Sequence, residues 1–489
     1  MPGAPVGQVL LLLADGTNAA IWEELRAAGE LPGLERGLLA PAGLAGGSTL
    51  PLPLATSVFP STTGPAHLPF LTGRFPGPAN VPGIRWLDPV VYGRHPCSLD
   101  RFRSYMGPGN YLASRDLSPA VDTLFEQLPD HASIAGNVRR GVRFRADLTR
   151  WAKLAHNVRS FFVEEWYGMD DAATRALCGA VRRQTTFVFA SFYAADSNGH
   201  KHGPRHPRTL EAYRRIDRTV GEVADLLAQR GRAAETLIAL VADHGLTQTE
   251  HHLDLQRLVE GVVGRCLAHP LIWHGFLAAR AAVMVSGNAM AHIYLRGATR
   301  WGDPVFLDPP SGAVAELLPA LLREPAVDLV AGRTASGEVL AVSRRGRARM
   351  RRWGAPGWGV DYVPEEGDPF GYPASLAGRH TDQELLARTW DSDYPDGPVQ
   401  LLQLCESARC GHLIVSATPG HDLRARFEKP AHQGSHGSLH RDHLQTPLLL
   451  NRPLPPGPHR TVDLYPTLLQ ALGLPVPPGL DGRSLLPSG

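Results

Sequence analysis

Three apolar runs of strand length break off at residues able to do chemistry. Gln8–Ala14 ends at Asp15 and Gly16. Thr186–Ala195 ends at Asp196, with His200 four residues on, and Thr236–Ala242 ends at Asp243, His244 and Gly245. Runs without polar alternation suit strands buried on both faces of a parallel sheet. Helical periodicity fills the gaps. After Asp15, Ile21 and Leu25 recur at helical spacing and Gly29 stops the run. In Thr209–Ala228, Leu210, Tyr213, Ile216, Val220, Val223 and Leu227 form one stripe. Strand alternating with helix predicts an α/β fold. Ligands of open α/β sheets collect at the carboxyl ends of the strands, so the three polar clusters are expected to meet.

Two long stretches, about residues 87–183 and 252–400, fit this alternation poorly; the second is rich in Pro, Gly and Arg. They read as caps on one catalytic unit spanning 1–489, because inserts of this length often shape a binding site. Arg344–Arg352 holds six arginines in nine residues. That run reads as a solvated strand or turn, or else as an anion-attracting rim.

Composition narrows the class. The 489 residues carry 49 basic and 47 acidic side chains, a formal charge of +2. That balance gives no bulk electrostatic case for nucleic acid or a membrane surface. Five cysteines, none in a CxxC pair, make no disulfide framework. No apolar stretch is long enough for a transmembrane helix. Val9–Leu13 lacks the basic flank of a signal peptide. The expectation is a cytoplasmic protein of undetermined oligomeric state that acts on a small molecule.

The candidate ligands are Asp15, Asp196, His200, Asp243, His244 and, far downstream, His436 in Gly434–Gly437. Carboxylates and imidazoles without thiolates suit Zn²⁺, with Mn²⁺ the alternative, and six ligands are enough for two ions. A metal pair roughly 3.5–4 Å apart clamps a transferring phosphoryl group. Asp196 and His200 share a face if their turn is helical. Glycines follow Asp15 and His244 and precede His200, where backbone must approach closely. A nucleophile is available in Thr63, just before a probable helix that opens with Pro65 and ends at Gly73. Its simpler reading is a helix cap.

Together these residues resemble the alkaline phosphatase superfamily, and within it the type I phosphodiesterase/nucleotide pyrophosphatase branch. Thr63 stands ten residues before the Gly of Thr72-Gly73-Arg74-Phe75-Pro76, and His67 also matches. The Asp196–His200, Asp243–Gly245 and His436 motifs follow in the same order and spacing. Thr461–Thr467 and Gly479–Leu486 look like the superfamily's C-terminal end. The resemblance implies a mostly parallel sheet flanked by helices, with cap insertions. It implies one zinc on Asp196, His200 and His436, and another on Asp15, Asp243 and His244 that also binds the Thr63 oxygen. Thr63 would attack phosphorus and form a phosphothreonine. The substrate would be a small phosphoester, a nucleotide among the candidates. The branch's phosphate-binding Asn, about 21 residues after the nucleophile, is missing. Arg85 is the nearest polar group there and would suit a dianionic monoester better, since it brings a full charge. A phosphomonoesterase is therefore the alternative activity, and a non-catalytic binding protein the alternative of another class. Sulfatases need Cys or Ser where Thr63 stands. Trp86 reads as a base-stacking or a core residue.

Overall fold

The computed structural model describes residues 5–44, 50–153, 166–270, 278–354, 359–426 and 431–487. Its centre is a seven-stranded sheet in the order His459–Arg460, Leu54–Thr56, Gln445–Leu450, Thr236–Val241, Gln8–Ala14, Phe187–Phe192, His131–Ile134. Gln8–Ala14 pairs in parallel with both neighbours, Val9 standing opposite Phe187 and Leu237. Only the pairings around Gln445–Leu450 are antiparallel. The fold is α/β with a mostly parallel sheet, as the apolar runs predict.

Every residue of Gln8–Ala14 is buried because the sheet is covered on both faces. Successive side chains of a strand point to opposite faces. Leu10 and Leu12 pack with Trp22, Leu177, Ile216 and Val220 from the helices Ala19–Ala27, Tyr167–Arg182 and Pro207–Gln229. Val9, Leu11 and Leu13 pack with Phe70, Leu71, Leu464 and Leu468 from Leu68–Thr72 and Leu464–Ala471.

The second apolar run is shorter as a strand than its sequence suggests. Phe187–Phe192 is the strand, and Ala194–His202 is already helix. Tyr193 to Ala195 are apolar in either state, so the pattern does not mark the switch. What marks it is the buried Asp170 carboxylate, which accepts hydrogen bonds from Tyr193 N (2.9 Å) and Ala194 N (3.2 Å). Asp170 thereby caps the helix from another element.

Within 87–183, His131–Ile134 is itself the edge strand of the central sheet, and Tyr167–Arg182 packs on its face. The stretch therefore contributes to the layered scaffold as well as to the cavity described below. Eight strands from 252–400 form a second, nine-stranded sheet, joined by Leu413–Ala417 between Met290–Leu295 and Val327–Arg333. Its pairings are antiparallel except for the first. The arginine run lies on Gly346–Trp353, where Ala348 and Met350 are buried and alternate with arginines. Arg345 pairs with Asp328, Arg347 and Arg349 with Asp308 and Glu365, and Arg352 with Glu406. Four of the six arginines are thus matched by carboxylates, as on a solvated strand. Trp86 is a core residue, its Nε1 donating to Tyr105 Oη at 3.0 Å with Arg409 over its ring. Among the described residues no helix is long and apolar enough to cross a membrane.

Candidate active site

Asp15, Asp196 and Asp243 follow the carboxyl ends of adjacent strands, so the sheet itself brings them together. The helix Ala194–His202 puts His200 one turn beyond Asp196, with His200 Nε2 3.3 Å from Asp196 Oδ1. His436 arrives from the C-terminal part of the chain. It is held by the tip of the Ala281–Leu295 hairpin, where its N–H donates to Gly287 O (3.1 Å) and its carbonyl accepts from Ala289 N (2.9 Å). Two triads result, Asp196–His200–His436 and Asp15–Asp243–His244, and in each the donor atoms lie within 4.8 Å of one another. The triads adjoin, because the rings of His244 and His436 stack at 3.7 Å with planes 10° apart.

All three imidazoles are oriented by backbone. The Nδ1 atoms of His200, His436 and His244 face the carbonyls of Gly434 (2.7 Å), Ser61 (2.8 Å) and Gly245 (3.1 Å). A carbonyl only accepts, so each Nδ1 carries the proton and each Nε2 lone pair points into the site. His200 Nε2 and His436 Nε2 are then 3.1 Å apart, lone pair towards lone pair. A cation held by both rings would reconcile that contact. Burial, then the neighbouring His244 and His200, holds His436 well below the usual imidazole range, so it stays neutral and ligand-ready. Burial, then the carboxylates of Asp243 and Asp196, pushes Asp15 well above the usual carboxylate range. Asp15 Oδ2 and Asp196 Oδ1 are buried without a hydrogen-bond donor among the described residues. Crowded carboxylates, inward lone pairs and the lack of thiolates all fit divalent metal ions.

Thr63 does not cap the helix beside it; Gly64 precedes the first turn and no side chain caps it. Its Oγ1 lies 3.2 Å from Asp15 Oδ1 and 3.1 Å from His244 Nε2. The buried His67 sits behind this triad, its Nε2 3.1 Å from Asp243 Oδ2. The sequence pattern flags His67 but not this orienting contact. Gly16 has φ 66° and donates from its N–H to Asp243 Oδ1 at 3.2 Å. A Cβ there would lie 2.7 Å from Asp196 Oδ1. Gly16→Ala is therefore expected to lower turnover on the order of 100-fold, since misplacing reacting groups by about 1 Å costs that much. Steady-state kinetics on the purified variant checks this; rates within threefold of wild type would contradict it.

A cavity of about 570 Å³ opens over these groups. Thr63, Asp15, Asp196, His200 and His436 line it, together with Arg85, whose Nη1 donates to Val285 O at 2.9 Å. Residues that the sequence patterns do not single out also line it: Asn110, Asn137, Asn288, Arg424 and His432. Of these only His432 had a visible signal, standing four residues before His436.

Two donor triads beside one hydroxyl, on the carboxyl edge of a mostly parallel sheet, mark the class of chains able to hold divalent ions beside a nucleophile. Within that class the chain belongs to the type I phosphodiesterase / nucleotide pyrophosphatase family, whose model matches residues 9–439. It is 26% identical over 186 residues to GPI ethanolamine phosphate transferase 2 of Saccharomyces cerevisiae, covering 36% of this chain and 21% of that protein. It is 28% identical over 97 residues to human ectonucleotide pyrophosphatase/phosphodiesterase family member 7, covering 20% of each. The chain thus spans about a fifth of the length of these curated relatives. Its fold is similar to that of phosphonoacetate hydrolase from Sinorhizobium meliloti, with a TM-score of 0.57 and 17% identity over 96% of both chains.

Proposed function

We propose that the protein hydrolyses phosphodiesters or nucleotide pyrophosphates through a phosphothreonine at Thr63. The observation that carries this reading is the Thr63 hydroxyl, 3.2 Å from Asp15 and 3.1 Å from His244 and lining the cavity. Asp196, His200 and His436 would hold one divalent cation, and Asp15, Asp243 and His244 another, zinc or manganese. Bound there, the ions supply stabilisation of charge on the phosphoryl oxygens.

Thr63 Oγ forms a bond to phosphorus as the bond to the leaving oxygen breaks. The leaving group departs with the bonding pair, and the hydroxyl proton passes through solvent to the leaving oxygen. Water then bonds to phosphorus and Thr63 Oγ leaves, recovering a proton, so one water is consumed per ester cleaved. The rest of the work is positioning. The two long stretches at 87–183 and 252–400 act as caps in this reading, since Tyr105 and Asn110 from the first and Asn288 from the second line the cavity. A panel of phosphomonoesters, diesters and pyrophosphates, assayed with added zinc or manganese, tests it. Diester or pyrophosphate turnover is expected; none on any ester would contradict it.

The cations Arg85, Lys201 and Arg424 on the cavity wall favour a second reading, a phosphomonoesterase on the same machinery. Arg85→Ala separates the two. If Arg85 binds a non-bridging oxygen of either substrate, para-nitrophenyl phosphate and its bis ester lose comparable rate, about 10–100-fold, the worth of a hydrogen bond to a charged group. A loss confined to the monoester favours the second reading.

A further inference from the structure

The edge strand His131–Ile134 delivers its own carboxyl end to the same cavity. Ala135, Gly136 and Asn137 follow it, and Ala135 has φ 57°, a region sparsely used by residues with a Cβ. Several contacts hold this turn. Ala135 N donates to Thr149 Oγ1 (2.6 Å), and Tyr193 Oη donates to Ala135 O (2.6 Å). Lys153 Nζ donates to Gly136 O (3.1 Å) and to Asn137 Oδ1 (2.8 Å). Asn110 Nδ2 donates to the same Oδ1 at 2.6 Å.

An ammonium has donors only, so the atom facing Lys153 is the amide oxygen, and two donors occupy its two lone pairs. The NH₂ group is thereby turned the other way. Asn137 lines the cavity with Thr63, Asp196 and Lys201, and its Nδ2 makes no hydrogen bond among the described residues. Burial, then Arg139, lowers Lys153 to about 8, which still leaves it charged at neutral pH. A charge on the amide oxygen polarises the amide and strengthens donation from its nitrogen.

The sheet also gives Asn137 an address. Four strands lie side by side in the order Thr236–Val241, Gln8–Ala14, Phe187–Phe192, His131–Ile134. Their ends carry Asp243, Asp15, Asp196 and Asn137 in that order. Thr63 sits at the Asp15 position in this row. In-line attack sends the leaving group away from the nucleophile, and Asp196 and Asn137 continue the row on one side of Thr63, both lining the cavity.

We propose that Asn137 is a specificity-determining residue. Its Nδ2 donates to an oxygen on the leaving group, so the preferred substrates are phosphoesters whose leaving group carries an anionic oxygen, a carboxylate or a phosphate. This rests on the phosphothreonine reading above.

Phenyl and meta-carboxyphenyl esters, each offered as the monoester and as the methyl diester, test it with similar leaving-group basicity. The wild type is expected to show higher kcat/KM for the carboxylated ester. Asn137→Asp keeps an oxygen facing Lys153 and Asn110 and replaces the NH₂ with a second oxygen. It is expected to cut the carboxylated-to-plain ratio about tenfold or more, mostly through KM. Asn137→Ala should move the ratio in the same direction. An unchanged ratio in both variants, equal loss on both esters, or a wild type with no preference would overturn the assignment. Failure of the wild type on all four esters would overturn the hydrolase reading, and this assignment with it.

Discussion

Thr63→Ala is expected to lower phosphoester turnover by on the order of 10⁴-fold or more while leaving the metal content unchanged. The size follows from removing a nucleophile, which in hydrolases of this kind costs several powers of ten. That corresponds to about 5 kcal/mol or more of transition-state stabilisation. The metal content should hold because six other side chains make up the two triads. Residual turnover would come from direct attack by water at the same phosphorus. Thr63→Ser retains the hydroxyl and should recover most of the lost rate. Parallel kinetics and metal analysis on both variants check this. An alanine variant with near-normal rates on every ester would remove Thr63 from the chemistry.

Asp243→Ala is expected to fail differently, losing metal along with activity. Its Oδ1 accepts from Gly16 N (3.2 Å) and His244 N (3.1 Å), and its Oδ2 faces His67 Nε2 (3.1 Å). The change removes one donor of the triad and also the group that fixes Gly16 against Asp196. Burial alone would raise this carboxyl, but it lies below the ordinary range, and the hydrogen bonds it takes from the His67 ring and the Gly16 N–H favour the ionised form that ligates. Losing it should cost more than the roughly 100-fold in metal affinity typical of an outer partner. Competition with a zinc-responsive chelator reads this affinity directly. The contrast between the two variants matters more than either alone. Thr63→Ala separates chemistry from metal binding, and Asp243→Ala couples them.

Much of this site was legible because its donors terminate strands. A strand buried on both faces reads as an unbroken apolar run, and the first polar residue after it stands at the carboxyl edge of the sheet. Asp15, Asp196 and Asp243 were found in this way, and His200 joined Asp196 once the turn between them was read as helical. His436 was legible only through its motif and its resemblance, since what holds it is the backbone of Gly287 and Ala289, about 150 positions away.

The strand His131–Ile134 was not legible. Four residues make no periodic signal, and its burial comes from neighbours that the pattern does not name. Asn137 and Lys153 were invisible for a related reason. Neither belongs to a motif, and their contact depends on the path of the chain between them. The second sheet was hidden by its surface side chains. Gly346–Trp353 alternates arginines with Ala348 and Met350, so its charge masks a strand.

The central claim is that six side chains spread over more than four hundred positions assemble two metal sites beside one threonine oxygen. Counting bound divalent ions in the purified full chain, after saturation with zinc or manganese and removal of excess, tests it most directly. Two ions per chain in the wild type and in Thr63→Ala, with fewer in Asp243→Ala, is the predicted result. One ion or none in the wild type would contradict it.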